Sequence, residues 1–539
     1  MAKERVYLFD TTLRDGQQTQ GVQFASDEKV AIAHALDDLG IDYIEGGWPG
    51  ANPTDSEFFE TRPDTRATFT AFGMTKRAGR SADNDEVLAQ VMRANTPAVC
   101  LVGKTHDFHV KTALGITLEE NIENISASVK HIVASGKEAL FDAEHFFDGY
   151  KANPAYALEC LHAAYEAGAR WIVLCDTNGG TLPREIGAIT TAVIAAEIEG
   201  ARLGIHTHDD TGNAISNSLA AVDAGARQIQ GTLNGLGERC GNANLISIIP
   251  TLLTKEPYKS AYDIGVTEAG MASLTRVSRQ LDDILNRVPS KSAPYVGGSA
   301  FVHKAGLHAS AILKDPTTYE HIDPARVGNE RVVPMSNQAG QSNLRARLES
   351  LGISLDKGDT RLSEILDEVK AREDLGFAYD SAQASFELLA RGILGSRERF
   401  FDVDRYRVIT ERRRNAKGRI VVESEAVVTL RFPDGTETTS FFQNAHAAEM
   451  QDDGPVNALW QALQMDLGPY QSALGGVHLT DFKVRITQGG TEAVTRVIID
   501  FSDGKDLHWS TVGVSANIVD ASFAALVDAI EWKLLRAGG

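Results

Sequence analysis

Cysteine is scarce. Only four occur in 539 residues, at Cys100, Cys160, Cys175 and Cys240, and no two are close enough to build a CxxC knuckle or a disulfide framework. A cysteine-held zinc module is thereby excluded, and a reducing compartment fits. Basic residues are outnumbered, 53 Lys plus Arg against 73 Asp plus Glu, and the net charge of -20 repels phosphate backbones and anionic lipid surfaces. Neither nucleic acid nor a membrane is an expected partner. No apolar run reaches the roughly 18 residues a bilayer span needs, and the start MAKERVYLFD enters a strand without a secretory core. A soluble cytoplasmic protein is expected. Compositional bias is missing too: 43% hydrophobic and 23% charged residues exclude collagen-like, disordered and low-complexity classes. Cys175, in the apolar run WIVLCD, and Cys240, in a Gly-rich loop, read as structural bystanders.

What is present is alternation. The length implies about three folding units at roughly 100–200 residues each. From Val6 to about Pro250, short β-branched or aromatic runs alternate with amphipathic helical stretches, the pattern of parallel strands joined by helical crossovers. Eight strands are predicted: Val6–Asp10, Asp42–Gly47, Thr68–Gly73, Ala98–Gly103, Ala139–Glu144, Trp171–Asp176, Leu203–His208 and Arg227–Thr232. Ser26 is placed to cap the first helix, with Asp27 and Glu28 in its opening turn and Gly40 beyond its end. Eight β-α units in about 250 residues match a closed (β/α)8 barrel better than an open doubly wound sheet. The fold class expected is α/β: a TIM barrel over 1–275, helical linker subdomains over 276–398 and an α+β C-terminal regulatory domain over 399–539.

That last segment carries an internal repeat. AVVTLRFPDGTETTSFF and TRVIIDFSDGKDLHWSTV each read as strand, turn and strand, with Asp434-Gly435 and Asp503-Gly504 lying 69 residues apart. A helix follows each, near Pro455–Leu467 and Val519–Leu535. A doubled unit without clustered catalytic residues suggests a small-molecule sensor or a dimerisation module.

In a barrel of this kind, chemistry gathers at the C-terminal ends of the strands. There the sequence reads DTTLRDG, EGGWPG, DAEHFFDG, CDTNGG, HTHDDTG and NGLGERCGN. His206 and His208 stand two apart, so both project from one strand face. Alone the pair suits either a metal or a satisfied rim. With Asp15 after strand one it becomes a set that can hold Mg2+, Mn2+ or Zn2+ and leave positions open. Asn242 offers a neutral oxygen or is a turn residue. Arg14 either holds a carboxylate and a developing oxyanion or pairs with a barrel acid. Glu144 is a hydrogen-bonding or proton-relay group, or an ion pair with Arg14. Thr177 can donate to a substrate carboxylate or stabilise a turn. Beyond the barrel, His303, His308 and Tyr319 can act as acid or base or stand in solvent.

Taken together, DTTLRDGQQ, EGGWPG, GIHTHDDTGNA, NGLGERCGN, HKAGLH and YEHIDPARVG resemble the acyl-CoA-dependent Claisen condensing enzymes, the family of 2-isopropylmalate, homocitrate and citramalate synthases. The likeness spans essentially the whole chain. LDDLGIDYIEGGWPGANPTD and FDAEHFFDGYKANP are nearest to the citramalate members. By this resemblance Asp15, His206, His208 and Asn242 are the ligands of a divalent metal, and Arg14 is the catalytic arginine. Glu144 is the strand-five glutamate, and Thr177 binds the carboxylate of the 2-oxo acid. His308 and Tyr319 act in enolising the acetyl group, and Glu238 and Arg239 lie near the site. The resemblance implies acetyl-CoA and pyruvate as substrates, citramalate for isoleucine biosynthesis as product, a homodimer in which linker residues reach the neighbouring barrel, and isoleucine as effector at the C-terminal domain. Two other enzymatic readings stay open: a 2-isopropylmalate synthase using 2-oxoisovalerate, decided by a pocket near Trp48 or Met74, and an acyl-CoA lyase. A non-catalytic sensor is the third, opposed by the intact Asp15, His206 and His208 set.

Overall fold

Eight strands close into a parallel barrel in the computed structural model: β1 (Tyr7–Asp10), β2 (Tyr43–Gly47), β3 (Thr68–Met74), β4 (Ala98–Lys104), β5 (Glu138–Glu144), β6 (Trp171–Asp176), β7 (Leu203–Thr207) and β8 (Gln228–Gly231). The structure describes all residues except 1, 2, 286, 288, 334–340, 357, 415–417, 419, 448–453, 488–493, 505, 506, 538 and 539. Each strand pairs with its sequence neighbour, and β1 closes the ring against β8 with Tyr7 opposite Gln228 and Asp10 opposite Gly231. Strands buried on both faces read as continuous apolar runs, and all six residues of β6 are buried. Inside the barrel, Tyr7 meets Trp171 edge-on at 5.2 Å and Phe9 stacks on Tyr43 at 5.9 Å. This plug fills the N-terminal half and leaves the other end for polar groups.

The crossover helices cover the barrel with an apolar layer that includes Leu36, Ile125, Leu161 and Val193. Burying each such side chain contributes about 1.5–3 kcal/mol. The first helix runs Ser26–Leu39 and is capped one residue earlier than expected. Ala25 is the cap residue, and its N–H is accepted by Glu28 Oε2 at 2.8 Å. Ser26 is the first helical residue because Glu28 reaches back over it.

The chain forms two compact units, Met1–Phe301 with Ile322–Glu330, and Val302–His321 with Arg331–Gly539. In the second, helices Gln341–Ser350, Thr360–Asp374 and Gln383–Ile393 precede two antiparallel sheets. The first sheet is β9 (Asp402–Arg414), β10 (Ile420–Arg431) and β11 (Glu437–Ala447); the second is β12 (His478–Ile486), β13 (Thr495–Ser502) and β14 (His508–Ser515). Helices Pro455–Met465 and Ile518–Ala537 follow them. The repeat is therefore three strands and a helix, one strand more than the sequence suggested. β9 and β12 are edge strands, and β9 carries charge on both faces, which hides the period-2 signal. Trp460, Phe501, Trp509 and Trp532 form a continuous ring stack through this core, with centroids 5.3–5.6 Å apart. Among the described residues no helix is long and apolar enough to cross a membrane.

Candidate active site

The turn after β1 is built on Asp10, whose carboxylate accepts from the Thr12 N–H at 2.8 Å and the Thr12 hydroxyl at 2.9 Å. Complete burial pushes Asp10 up to about 7 against those hydrogen bonds. The turn delivers Arg14 and Asp15 to the barrel mouth. Arg14 is braced from several sides. Its Nε donates to Glu45 Oε2 at 2.7 Å, its guanidinium lies 3.9 Å from the Phe72 ring centroid, and Nη1 stands 3.5 Å from Asp15 Oδ2. The Thr11 hydroxyl donates to the same Glu45 oxygen at 2.6 Å. Glu45 sits at a register shift between β2 and β3, where a bulge re-aims a side chain. Burial disfavours both charges. For Arg14 it is outweighed by Glu45 and Asp15, which raise the pKa, and for Asp15 by Arg14 and His206, which hold the carboxyl far below its usual range.

His206, in β7, and His208, just past its end, bring their rings to 5.1 Å. Ligand atoms of Asp15, His206 and His208 all lie within 4.8 Å of one another, with His206 Nε2 standing 3.3 Å from Asp15 Oδ2. Asn242 is set opposite His208 by a backbone bridge, and its Nδ2 donates to the Leu236 carbonyl at 3.1 Å. Gly237, at φ 156°, makes room for it: a Cβ there would stand 2.2 Å from Asn242 Nδ2. Asp15 Oδ1, His208 Nδ1 and Asn242 Oδ1 are buried and have no hydrogen-bond partner among the described residues. Each such orphan costs about 1–3 kcal/mol. Three on adjoining loops, from a carboxylate, an imidazole and an amide oxygen, fit a site for Mn2+, Mg2+ or Zn2+. Burial, then the neighbouring His206, pushes His208 down to about 3, so its ring stays neutral and offers a lone pair. Burial also works against a charged His206, but Asp15 outweighs it and raises its pKa.

Arg14, Asp15, His206 and His208 line one cavity of about 430 Å³, which also takes in Trp48, Phe72, Met74, Lys104, Asp142, Glu144, Thr177 and Glu238. Glu144 is not paired with Arg14, contrary to one of the two expectations for it. Its Oε2 lies 2.5 Å from Lys104 Nζ, and Arg14 is already taken by Glu45. The Thr177 hydroxyl accepts from the His145 N–H at 2.8 Å, which leaves its own proton free. Arg239 forks onto Asp210 at 2.8 and 2.9 Å and donates to the Thr177 carbonyl at 2.7 Å, locking that loop. Glu238 is 3.7 Å from Arg239. Cys175 also lines the cavity, but burial raises its thiol well above the usual range, so it is inert. Cys240 is exposed, and all four cysteines are free.

His303, His308 and Tyr319 belong to the second compact unit. His308 stacks on Tyr319 with centroids 4.1 Å apart, and both rings are exposed. His303 is not solvated: its Nε2 meets the buried Glu320 at 3.2 Å, and Glu320 also accepts from Arg331 at 2.7 Å.

Three family models match the chain: an HMGL-like model over residues 5–273, a homocitrate synthase post-HMGL domain-like model over 295–376 and a LeuA allosteric (dimerisation) domain over 380–534. The (R)-citramalate synthase of Aquifex aeolicus is 45% identical over 99% of this chain and 98% of its own length. The (R)-citramalate synthase of Geobacter sulfurreducens is likewise 45% identical, with the same coverage. The chain belongs to the (R)-citramalate synthase family. A 2-isopropylmalate synthase from Methanocaldococcus jannaschii is more distant at 30% identity over 99% of the chain and 95% of its own length. Family membership makes the chain an acyltransferase-type condensing enzyme.

Four residues around the candidate site carry no decisive signal in the sequence: Glu45, Lys104, Asp142 and Gln230. Glu45 is visible inside EGGWPG as a charged residue at a strand end, which is the one available clue. The other three are strand residues whose partners appear only once the strands are in register.

Proposed function

We propose that the chain condenses acetyl-CoA with pyruvate and hydrolyses the thioester to give (R)-citramalate and CoA, serving isoleucine biosynthesis in the cytoplasm. The observation that carries this reading is the buried Asp15, His206 and His208 set beside a braced Arg14 in one cavity. Family membership narrows the chemistry further. Asp15, His206, His208 and Asn242 would hold a divalent cation, which would supply Lewis acidity to the 2-oxo acid when bound.

The protein groups do the rest. Arg14, kept cationic by Glu45 and Asp15, donates to the oxygen where negative charge develops as the carbon–carbon bond forms. The free Thr177 proton donates to the substrate carboxylate, and the Lys104-paired Glu144 holds one face of the cavity. A thioester methyl is a weak acid, so a positioned base must take its proton. His308 takes it, with the Tyr319 ring stacked against its own. The resulting carbon nucleophile bonds to the ketone carbon of pyruvate, and the former ketone oxygen gains a proton. Water then adds to the thioester and CoA leaves as the thiol, which makes the sequence irreversible.

Trp48 meets Phe72 edge-on at 5.5 Å, and Phe72 is fixed by Arg14. This rigid apolar wall favours a methyl over an isopropyl group. The LeuA-type domain supports a homodimer and an isoleucine site in the C-terminal domain. The test is thiol release from acetyl-CoA with pyruvate, 2-oxobutyrate or 2-oxoisovalerate, with and without isoleucine or leucine. Preference for pyruvate and inhibition by isoleucine are expected. Preference for 2-oxoisovalerate overturns the substrate assignment, inhibition by leucine alone overturns the effector, and no release with any oxo acid overturns the condensation.

A further inference from the structure

Beneath the site, three polar side chains from three strands form a chain that the reaction does not itself require. His206 Nδ1 lies 2.8 Å from Gln230 Oε1, and Gln230 Nε2 lies 3.1 Å from Asp142 Oδ1. His206 comes from β7, Gln230 from β8 and Asp142 from β5, and they are 5%, 1% and 3% exposed. All three side chains are buried, so each hydrogen bond constrains the polarity of the next.

Polarity is set outward from Asp142. An ionised carboxylate only accepts, so the Gln230 amide must turn its NH2 toward Asp142. Its oxygen then faces His206 and can only accept. The imidazole must therefore carry its proton on Nδ1, which leaves a lone pair on Nε2, the nitrogen 3.3 Å from Asp15 Oδ2. Without this constraint the opposite tautomer has a ready partner: Nε2–H would donate to Asp15 and cap the carboxylate.

We propose that Asp142 and Gln230 are positioning residues that hold His206 in its Nδ1–H tautomer and keep the Nε2 lone pair available to a divalent cation. This inference rests on the reading of Asp15 and His206 as cation ligands. Partners that orient a ligating histidine typically matter by roughly 10–100-fold in metal affinity.

The experiment uses the full chain stripped with chelator, then titrated with Mn2+ for affinity and with Co2+ for its visible spectrum, after melting of the metal-free protein establishes folding. Gln230→Leu is expected to weaken Mn2+ binding by roughly 10–100-fold and to alter the Co2+ bands. Gln230→Glu alone sets two carboxylates against each other and weakens binding as well. The exchanged pair, Gln230→Glu with Asp142→Asn, restores an acceptor facing His206 and a donor facing that acceptor, so affinity and spectrum return toward wild type. A merely structural role predicts no such rescue. Wild-type Mn2+ affinity with an unchanged Co2+ spectrum in Gln230→Leu overturns the proposal. So does an exchanged pair that binds no better than Gln230→Glu alone, and that comparison decides the matter if Gln230→Leu does not fold. Failure of the wild type to bind either ion overturns the ligand reading together with the proposal, whereas normal wild-type binding with indifferent variants removes the positioning chain alone.

Discussion

Two aspartates, a buried one in the barrel unit and a half-buried one in the other compact unit, respond in opposite directions. Asp15 at the barrel mouth is driven far below the usual carboxylate range, because Arg14, His206 and His208 outweigh the cost of its burial. Asp528, on helix Ile518–Ala537, is pushed up to about 6 by burial. It accepts from the Ser385 hydroxyl at 2.7 Å, but its cation, Arg397, stands 3.6 Å away and is bound more closely to Glu531. The same split separates the two candidate parts of the chemistry. In the barrel, charges are cross-braced before any substrate arrives, whereas His308 and Tyr319 are exposed and stack on each other. On the proposed reading, substrate holding and polarisation belong to the preformed barrel framework and proton removal to the exposed segment.

The largest expected effect tests that division directly. His308→Ala should lower CoA release by roughly 10²–10⁴-fold while leaving pyruvate affinity, measured by calorimetric titration of the metal-loaded protein, as in wild type. If pyruvate binding falls in step with turnover, the division of labour is wrong. Next comes the barrel side. Arg14→Lys keeps the charge but loses the Nε–H bond to Glu45 and the flat contact with Phe72, so turnover should drop by roughly 10²–10³-fold. Turnover within a few-fold of wild type would show that charge alone suffices there. Smaller again, Trp48→Ala opens the wall beside Phe72. Its catalytic efficiency with the bulkier oxo acids, 2-oxobutyrate and 2-oxoisovalerate, should rise relative to that with pyruvate by roughly 10-fold. An unchanged ratio in steady-state kinetics would place the specificity wall elsewhere.

How much of this is legible in the chain depends on the distance over which a signal acts. The barrel strands are readable because their apolar runs and the helix-punctuating glycines are local. Asp15, His206 and His208 are readable because strand ends and the two-residue spacing place them without any tertiary information. The brace of Arg14 is not, since Glu45 lies 31 residues away and reaches Arg14 only through the shifted register of β2 against β3. Lys104 is hidden for the same reason, so the sequence offers Glu144 the wrong cation. Gln230 and Asp142, 88 residues apart, look like stray polar groups until barrel closure turns them toward each other. In the C-terminal module β9 is hard to see because alternating charge on an exposed edge lacks the hydrophobic period by which strands are recognised.

The smallest expected effect returns to Asp528 and separates the two aspartates by pH. Its folded pKa, about 6, lies above the ordinary 3.8. Between those values the native protein keeps a proton that the unfolded chain has released. Stability therefore falls as pH rises across that window, and above it the full cost of a shielded carboxylate is present. Allowing for partial solvent access, that cost is about 2 kcal/mol. Asp528→Asn retains an acceptor for the Ser385 hydroxyl and removes the charge. In urea unfolding of the metal-free full chain it should be more stable than wild type by about 2 kcal/mol at pH 8, with the difference largely gone at pH 4. No gain at pH 8 would mean that Arg397 compensates Asp528 as fully as Arg14 does Asp15, and the contrast between the two units would lose its electrostatic basis.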